Sequence, residues 1–130
     1  MRKILLPDNL PQKLIFEITP KCNYKCPYCY CLWHEFPELG RNVLSTQEWY
    51  FVIENAVQNN CREFLFTGGE VLLHQDLKKL IEYAETFENV RLEIFTNASR
   101  MTEEYLQYFK DKKVHIRGTP SQAYQLLFDL

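Results

Sequence analysis

The chain has 130 residues, a formal net charge of −2, 46% hydrophobic and 25% charged residues. This is ordinary globular composition, long enough for one domain with one core and unlike that of a disordered chain. The balanced charge gives no electrostatic case for nucleic acid or an anionic membrane surface, and no apolar run approaches the roughly 20 residues of a membrane span.

Residues 1–12 carry Pro7 and Pro11 and read as an irregular lead-in. Their apolar stretch, Ile4-Leu5-Leu6, is too short for a signal peptide. Residues 13–19 read as a strand closed by Pro20, and residues 20–31 as a cysteine-bearing loop. Trp33 to Asn42, with Pro37 and Gly40, reads as loop. Ser45 is a helix N-cap with Glu48 three residues on, a capping box. Trp49, Val52, Ile53, Ala56 and Val57 then recur at helical spacing up to Asn59-Asn60. Cys61 to Thr67 is a second strand whose continuous apolar run, Phe64-Leu65-Phe66, suits burial on both faces. Asp76 to Phe87 is helical by pattern, Val90 to Thr96 a third strand, and Thr102 caps a helix running to Lys112. Val114 to Arg117 is a short fourth strand, and Gly118 to Ser121 opens a last helix ending at Leu130.

The order β-α-β-α-β-α-β-α implies an α/β domain of parallel strands joined by right-handed crossovers. Such folds gather their chemistry on the rim beyond the strands' carboxyl ends. There stand Cys22, Cys26 and Cys29 after strand one, Gly68-Gly69-Glu70 after strand two, Thr96-Asn97 after strand three, and Arg117 and Ser121 after strand four. The spacing C-x3-C-x2-C packs three soft ligands into one loop, which suits a soft metal centre or shared reactivity. Five cysteines without a secretion signal point to a reducing cytosol, where clustered cysteines bind metal or act in catalysis rather than bridge. A fourth ligand from Cys31 or His34 would make a zinc site. Three ligands alone would leave one iron of a [4Fe–4S] cubane open to a small molecule. After strand two, the paired glycines allow a sharp turn and close backbone approach to a ligand, and Glu70 offers an acceptor for a ligand ammonium. A plain strand-to-loop turn is the alternative.

The cysteine spacing, with Tyr28 before the last thiol, resembles the radical S-adenosylmethionine (radical SAM) family. So does Gly68-Gly69-Glu70 in its place after strand two, with Leu72-Leu73-His74 and Thr96-Asn97 beyond it. Val71 stands where the family usually has proline, and Ala98 where it has glycine. The resemblance covers residues 13 to 117. It implies a parallel (βα)4 half barrel, the first part of a partial (βα)6 TIM-like barrel, as one truncated domain over residues 1–130. It further implies a [4Fe–4S] cluster on Cys22, Cys26 and Cys29. S-adenosylmethionine would bind at Tyr28, Gly68, Gly69, Glu70 and Asn97. An electron from the cluster would cleave the sulfonium to a 5′-deoxyadenosyl radical. The implied partners are an electron donor such as flavodoxin or ferredoxin and a partner chain or second copy that completes the barrel.

Other readings stand beside this one: a catalytically incomplete half barrel that binds a cluster or a partner, and a zinc-binding domain. Cys61 reads as a small buried hydrophobe, His74 as a loop residue, Cys31 as a bystander of the cluster and Arg117 as a solvated strand-end charge. Strand four is expected to be an unpaired edge, and a half barrel is expected to leave apolar surface on its concave side.

Overall fold

The computed structural model of the chain describes residues 10–19 and 43–118. Within them run β1 (Lys13–Thr19), α1 (Thr46–Gln58), β2 (Glu63–Gly68), a 3-10 turn (Val71–Leu73), α2 (Leu77–Glu85), β3 (Arg91–Thr96), α3 (Glu103–Asp111) and β4 (His115–Gly118). The strands form one sheet in the order β1-β2-β3-β4, every neighbouring pair parallel. This is the half-barrel-like α/β arrangement that the alternation of strands and helices implies. The lead-in up to residue 9, the cysteine loop, residues 33–42 and the expected last helix lie outside the described residues.

Local chemistry sets the boundaries. Ser45 Oγ accepts from the Glu48 amide at 3.2 Å and Glu48 Oε1 accepts from the Ser45 amide at 2.9 Å, the reciprocal capping box that starts α1. Asn59 is the C-cap, and Asn60 follows in the left-handed region at φ 68°. Thr102 Oγ1 caps α3 by accepting from the Tyr105 amide at 3.1 Å. α2 starts differently. The Asp76 side chain makes no capping bond to its own helix. Instead its carboxylate accepts from Thr46 Oγ1 at 2.7 Å, tying the N-terminal turns of α1 and α2 together.

The core lies between one face of the sheet and the helices. Phe16, Ile18, Phe64, Phe66, Leu92 and Ile94 meet Trp49, Ile53, Ala56, Leu80, Ile81 and Phe109, all buried. The Phe16 ring sits 5.2 Å from both Trp49 and Phe64 and 5.6 Å from Phe66, centroid to centroid, each contact worth about 0.5–1.5 kcal/mol beyond area burial. β2 is buried along nearly its whole length, as its apolar run implies. Cys61 is fully buried, and its thiol donates to the Gln12 carbonyl at 3.3 Å.

The sheet's other face departs from expectation. Successive strand residues alternate faces, which places Lys13, Ile15 and Glu17 of β1, Glu63, Leu65 and Thr67 of β2, Arg91, Glu93 and Phe95 of β3, and His115 and Arg117 of β4 opposite the helices. Most of these are charged or polar. Among the described residues only Ile15 on this face is a strongly exposed large hydrophobe, at 60%. The expected apolar concave surface is therefore corrected to a charged one. Arg117 is likewise not a simple solvated charge. Its guanidinium meets the Glu93 carboxylate at 3.1 Å, and Lys13 meets the same carboxylate at 2.9 Å.

Candidate cofactor-binding rim

The rim is built where three strands end together. β1 stops at Thr19, immediately before the segment that bears the cysteines, and Thr19 is in register with Gly68 at the end of β2. A Cβ on Gly68 would overlap the Thr19 carbonyl oxygen and lie 3.0 Å from Thr19 N and Cγ2. The Gly69 amide donates to that same carbonyl at 2.7 Å. No described glycine adopts a positive φ. Gly68 is thus required by close approach to β1 and not by a sharp left-handed turn.

Glu70 comes next and is fully buried. Its Oε1 accepts from Thr96 Oγ1 at 2.6 Å and from the Asn97 amide at 2.7 Å. Its Oε2 accepts from the Leu72 amide at 3.0 Å and lies 2.8 Å from the same Thr96 hydroxyl. The Leu72 bond caps the 3-10 turn that follows, which Leu73 N to Glu70 O at 3.0 Å and His74 N to Val71 O at 3.1 Å then close. Val71, in the place of the expected proline, starts this turn and is fully buried. No ion pair among the described residues includes Glu70. Among the described residues the carboxylate is therefore held by dipoles and not by a cation.

Beyond β3, Asn97 Oδ1 accepts from the Ser99 amide at 2.9 Å and from Ser99 Oγ at 2.6 Å, an Asx-type turn. Ala98 follows at φ 64°, a conformation that glycine adopts without strain. Its amide donates to Thr96 Oγ1 at 3.0 Å. The substitution of alanine for the expected glycine thus leaves the left-handed turn in place.

A cavity of about 600 Å³ lies beside the end of β1, between the first turns of α1 and α2. Thr19 and Val43, which flank the segment 20–42, both line it. His74 lines it too, with Nδ1 accepting from the Asp76 amide at 3.0 Å, the loop role expected of it. Asp76 titrates below the usual carboxylate range, chiefly through the hydrogen bond from Thr46, with Lys79 adding to it against a smaller cost of burial.

Of the residues expected in the site, Gly68, Gly69, Glu70 and Asn97 come together on this rim. Cys22, Cys26, Cys29, Tyr28, Cys31 and His34 lie outside the described residues, and Ser121 likewise. Among the described residues no three His, Cys, Asp or Glu side chains form a metal-binding group. Cys61 is the one described cysteine, and burial, partly offset by hydrogen bonding, pushes its thiol above the ordinary value. That suits an inert core thiol. The contributions of Thr19 and the Thr96 hydroxyl are not read from sequence. The signal for Thr96 was only its place in the Thr96-Asn97 pair at a strand end.

Comparison with known proteins adds the family. A model of the Radical SAM superfamily matches residues 16–120. The probable GTP 3′,8-cyclase of Methanopyrus kandleri is 40% identical over 76 residues, 58% of this chain and 24% of that protein. The S-adenosylmethionine-dependent nucleotide dehydratase of Selenomonas ruminantium is 33% identical over 90 residues, 68% of this chain and 31% of that protein. The chain thus spans about a quarter to a third of the length of these relatives. Among solved structures, Streptococcus suis SuiB bound to S-adenosylmethionine superposes with a TM-score of 0.67 at 20% identity, over 94% of this chain and 26% of SuiB, a likeness of fold.

Proposed function

Because this chain belongs to the Radical SAM superfamily, we propose that its rim binds S-adenosylmethionine beside a [4Fe–4S] cluster held by Cys22, Cys26 and Cys29. The observation that carries the reading is Glu70: a fully buried carboxylate at the junction of three strand ends, with no cationic side chain paired to it among the described residues. A buried charge is costly unless something balances it. The ammonium and sulfonium of the cofactor are cations of the kind such a site favours. The backbone of Gly68 and Gly69 would receive the methionine ammonium, with the Glu70 carboxylate buried beneath it and Tyr28 and Asn97 as further contacts. Thr19 sits against Gly68 and Gly69 at the point where the cysteine segment departs. Three thiolates on that segment would begin their loop next to the ammonium site.

When both groups are bound, they supply the one-electron chemistry that yields a 5′-deoxyadenosyl radical. The chain's own residues bind and orient. The rim backbone accepts the ammonium, the capped turn Val71–Leu73 fixes that backbone, and the buried aromatic core beneath holds the strand ends rigid. A low-potential donor such as flavodoxin or ferredoxin would reduce the cluster in the cytosol. Among the described residues no helix is long and apolar enough to cross a membrane.

A second reading starts from β4, which forms one edge of the four-stranded sheet among the described residues. In it the half barrel binds a cluster or partner and becomes catalytic only when a partner chain or second copy completes the barrel at β4. Anaerobic reconstitution with iron and sulfide separates the readings, followed by EPR of the reduced chain with and without S-adenosylmethionine. A cubane signal that shifts on adding the cofactor is expected. A cluster that ignores the cofactor favours the incomplete half barrel. A colourless chain holding one zinc and no sulfide overturns the cluster assignment.

A further inference from the structure

We infer that Glu70 is a positioning residue: its buried carboxylate latches the end of β3 to the turn after β2, so that the backbone of Gly68 and Gly69 is what meets the cofactor's ammonium. The inference rests on the proposed cofactor reading and specifies the part Glu70 plays in it.

The backbone ladders differ at this rim. The β1–β2 register continues to Thr19 and Gly68, the last residue of β2. The β2–β3 register stops earlier, at Phe66 and Ile94. Beyond that point Thr96 and Asn97 are connected to the β2 side through Glu70. One carboxylate stands in for the missing ladder rungs. It also gathers the Leu72 amide, so three donors from two segments converge on it.

A carboxylate offers about four lone-pair sites. Three donors, one of them lying within 2.8 Å of both oxygens, occupy most of them. With no exposed surface, Glu70 cannot touch a ligand unless the latch opens. The Thr96 hydroxyl extends the latch by accepting from the Ala98 amide at 3.0 Å, so the turn after β3 is held by the same group. On the other side the Gly69 amide is fixed to Thr19. The Gly68–Gly69 backbone is thus clamped from both neighbouring strands, and the carboxylate's charge acts from beneath it.

Two residues of the latch can be changed separately: Glu70→Gln and Thr96→Val, with Thr96→Ser as the conservative control. The first readout is amide hydrogen exchange at Asn97 in the metal-free chain. The second is S-adenosylmethionine affinity of the reconstituted chain. Both E70Q and T96V are expected to speed Asn97 exchange by about tenfold or more, the worth of one hydrogen bond to a charged group. Both are expected to weaken cofactor binding, with the double variant no weaker than the poorer single. T96S is expected to retain both properties. If Glu70 ligates the cofactor directly, E70Q abolishes binding with Asn97 exchange unchanged and T96V binds normally, which overturns the inference. A wild-type chain that binds no cofactor, while Asn97 exchange still answers to both substitutions, overturns the functional reading and leaves the latch as a folding element alone.

Discussion

At Gly68 a single hydrogen atom in place of a methyl group decides how closely β1 and β2 can end. The Cβ of any other residue would collide with the Thr19 carbonyl, which is backbone and cannot swing aside. Gly68→Ala should therefore force β1 and β2 apart at the rim. A destabilisation of about 1–3 kcal/mol is expected, the usual cost of overpacking, and a thermal melt would show it as a drop of several degrees. Since Thr19 immediately precedes the cysteine segment, the same change should also impair cluster reconstitution. Cys61 is the opposite kind of residue. It is fully buried, its thiol is raised by burial, and it donates to the Gln12 carbonyl. In the native chain it should resist alkylation at pH 8 and react only on unfolding, as peptide mass spectrometry would report. Labelling of Cys61 in the folded chain at the rate of a free exposed thiol would contradict its place in the core.

Among the elements, α1 depends most visibly on its first turn. The capping box between Ser45 and Glu48 satisfies two amides that would otherwise lack partners. Thr46, the next residue, reaches across to Asp76 at the start of α2. Ser45→Ala should cost about 1 kcal/mol, and Thr46→Val should loosen α2 as well as α1. Urea denaturation of each variant checks both, and unchanged midpoints would mean that the two helix starts are independent. This cap was legible in the sequence because Ser45 and Glu48 are three residues apart. β2 was legible from its continuous apolar run Phe64-Leu65-Phe66, and β1 and β3 from short stretches rich in Ile and Phe between turn and helix signals. Bonds between distant residues were not. Glu70 and Thr96 are 26 residues apart, and nothing local to either shows that the carboxylate would be roofed by the hydroxyl. The 3-10 turn after Glu70 was also missed, since three residues are too few for a period to emerge. The rim motifs were readable only as a set of residues at strand ends. Their division of labour lies in hydrogen bonds between residues distant in sequence.

At the scale of the whole fold, three helices of the described residues cover one face of the sheet and charge organises the other. Glu93 lies at its centre, on β3, and takes Lys13 from β1 and Arg117 from β4, so one carboxylate ties three of the four strands together. His115 is its register partner on β4. Sequence alone hid this clamp, because Lys13 and Glu93 are 80 residues apart and strands of a parallel sheet are usually apolar on both faces. Burial pushes the Glu93 carboxyl upward, but the Lys13 hydrogen bond and the charges of Arg117, Lys13 and His115 outweigh it, so its value is depressed. A group depressed on folding contributes stability that is complete above its unfolded value, about 4.3 for glutamate. That contribution is lost as pH falls through the lower folded value. The clamp should therefore hold at neutral pH and weaken below about pH 4. Its size is modest, since Lys13 and Arg117 are a third to a half exposed and each such pair is worth at most about 1 kcal/mol. Melting temperatures of wild type and Glu93→Gln between pH 3 and pH 7 provide the measurement. Wild type should be the more stable at pH 7, and the gap should close toward pH 3. Added salt should narrow it at pH 7, because the cations are partly in water. A gap that stays constant with pH would mean that the carboxylate's charge contributes nothing, and that the charged face is held together by packing alone.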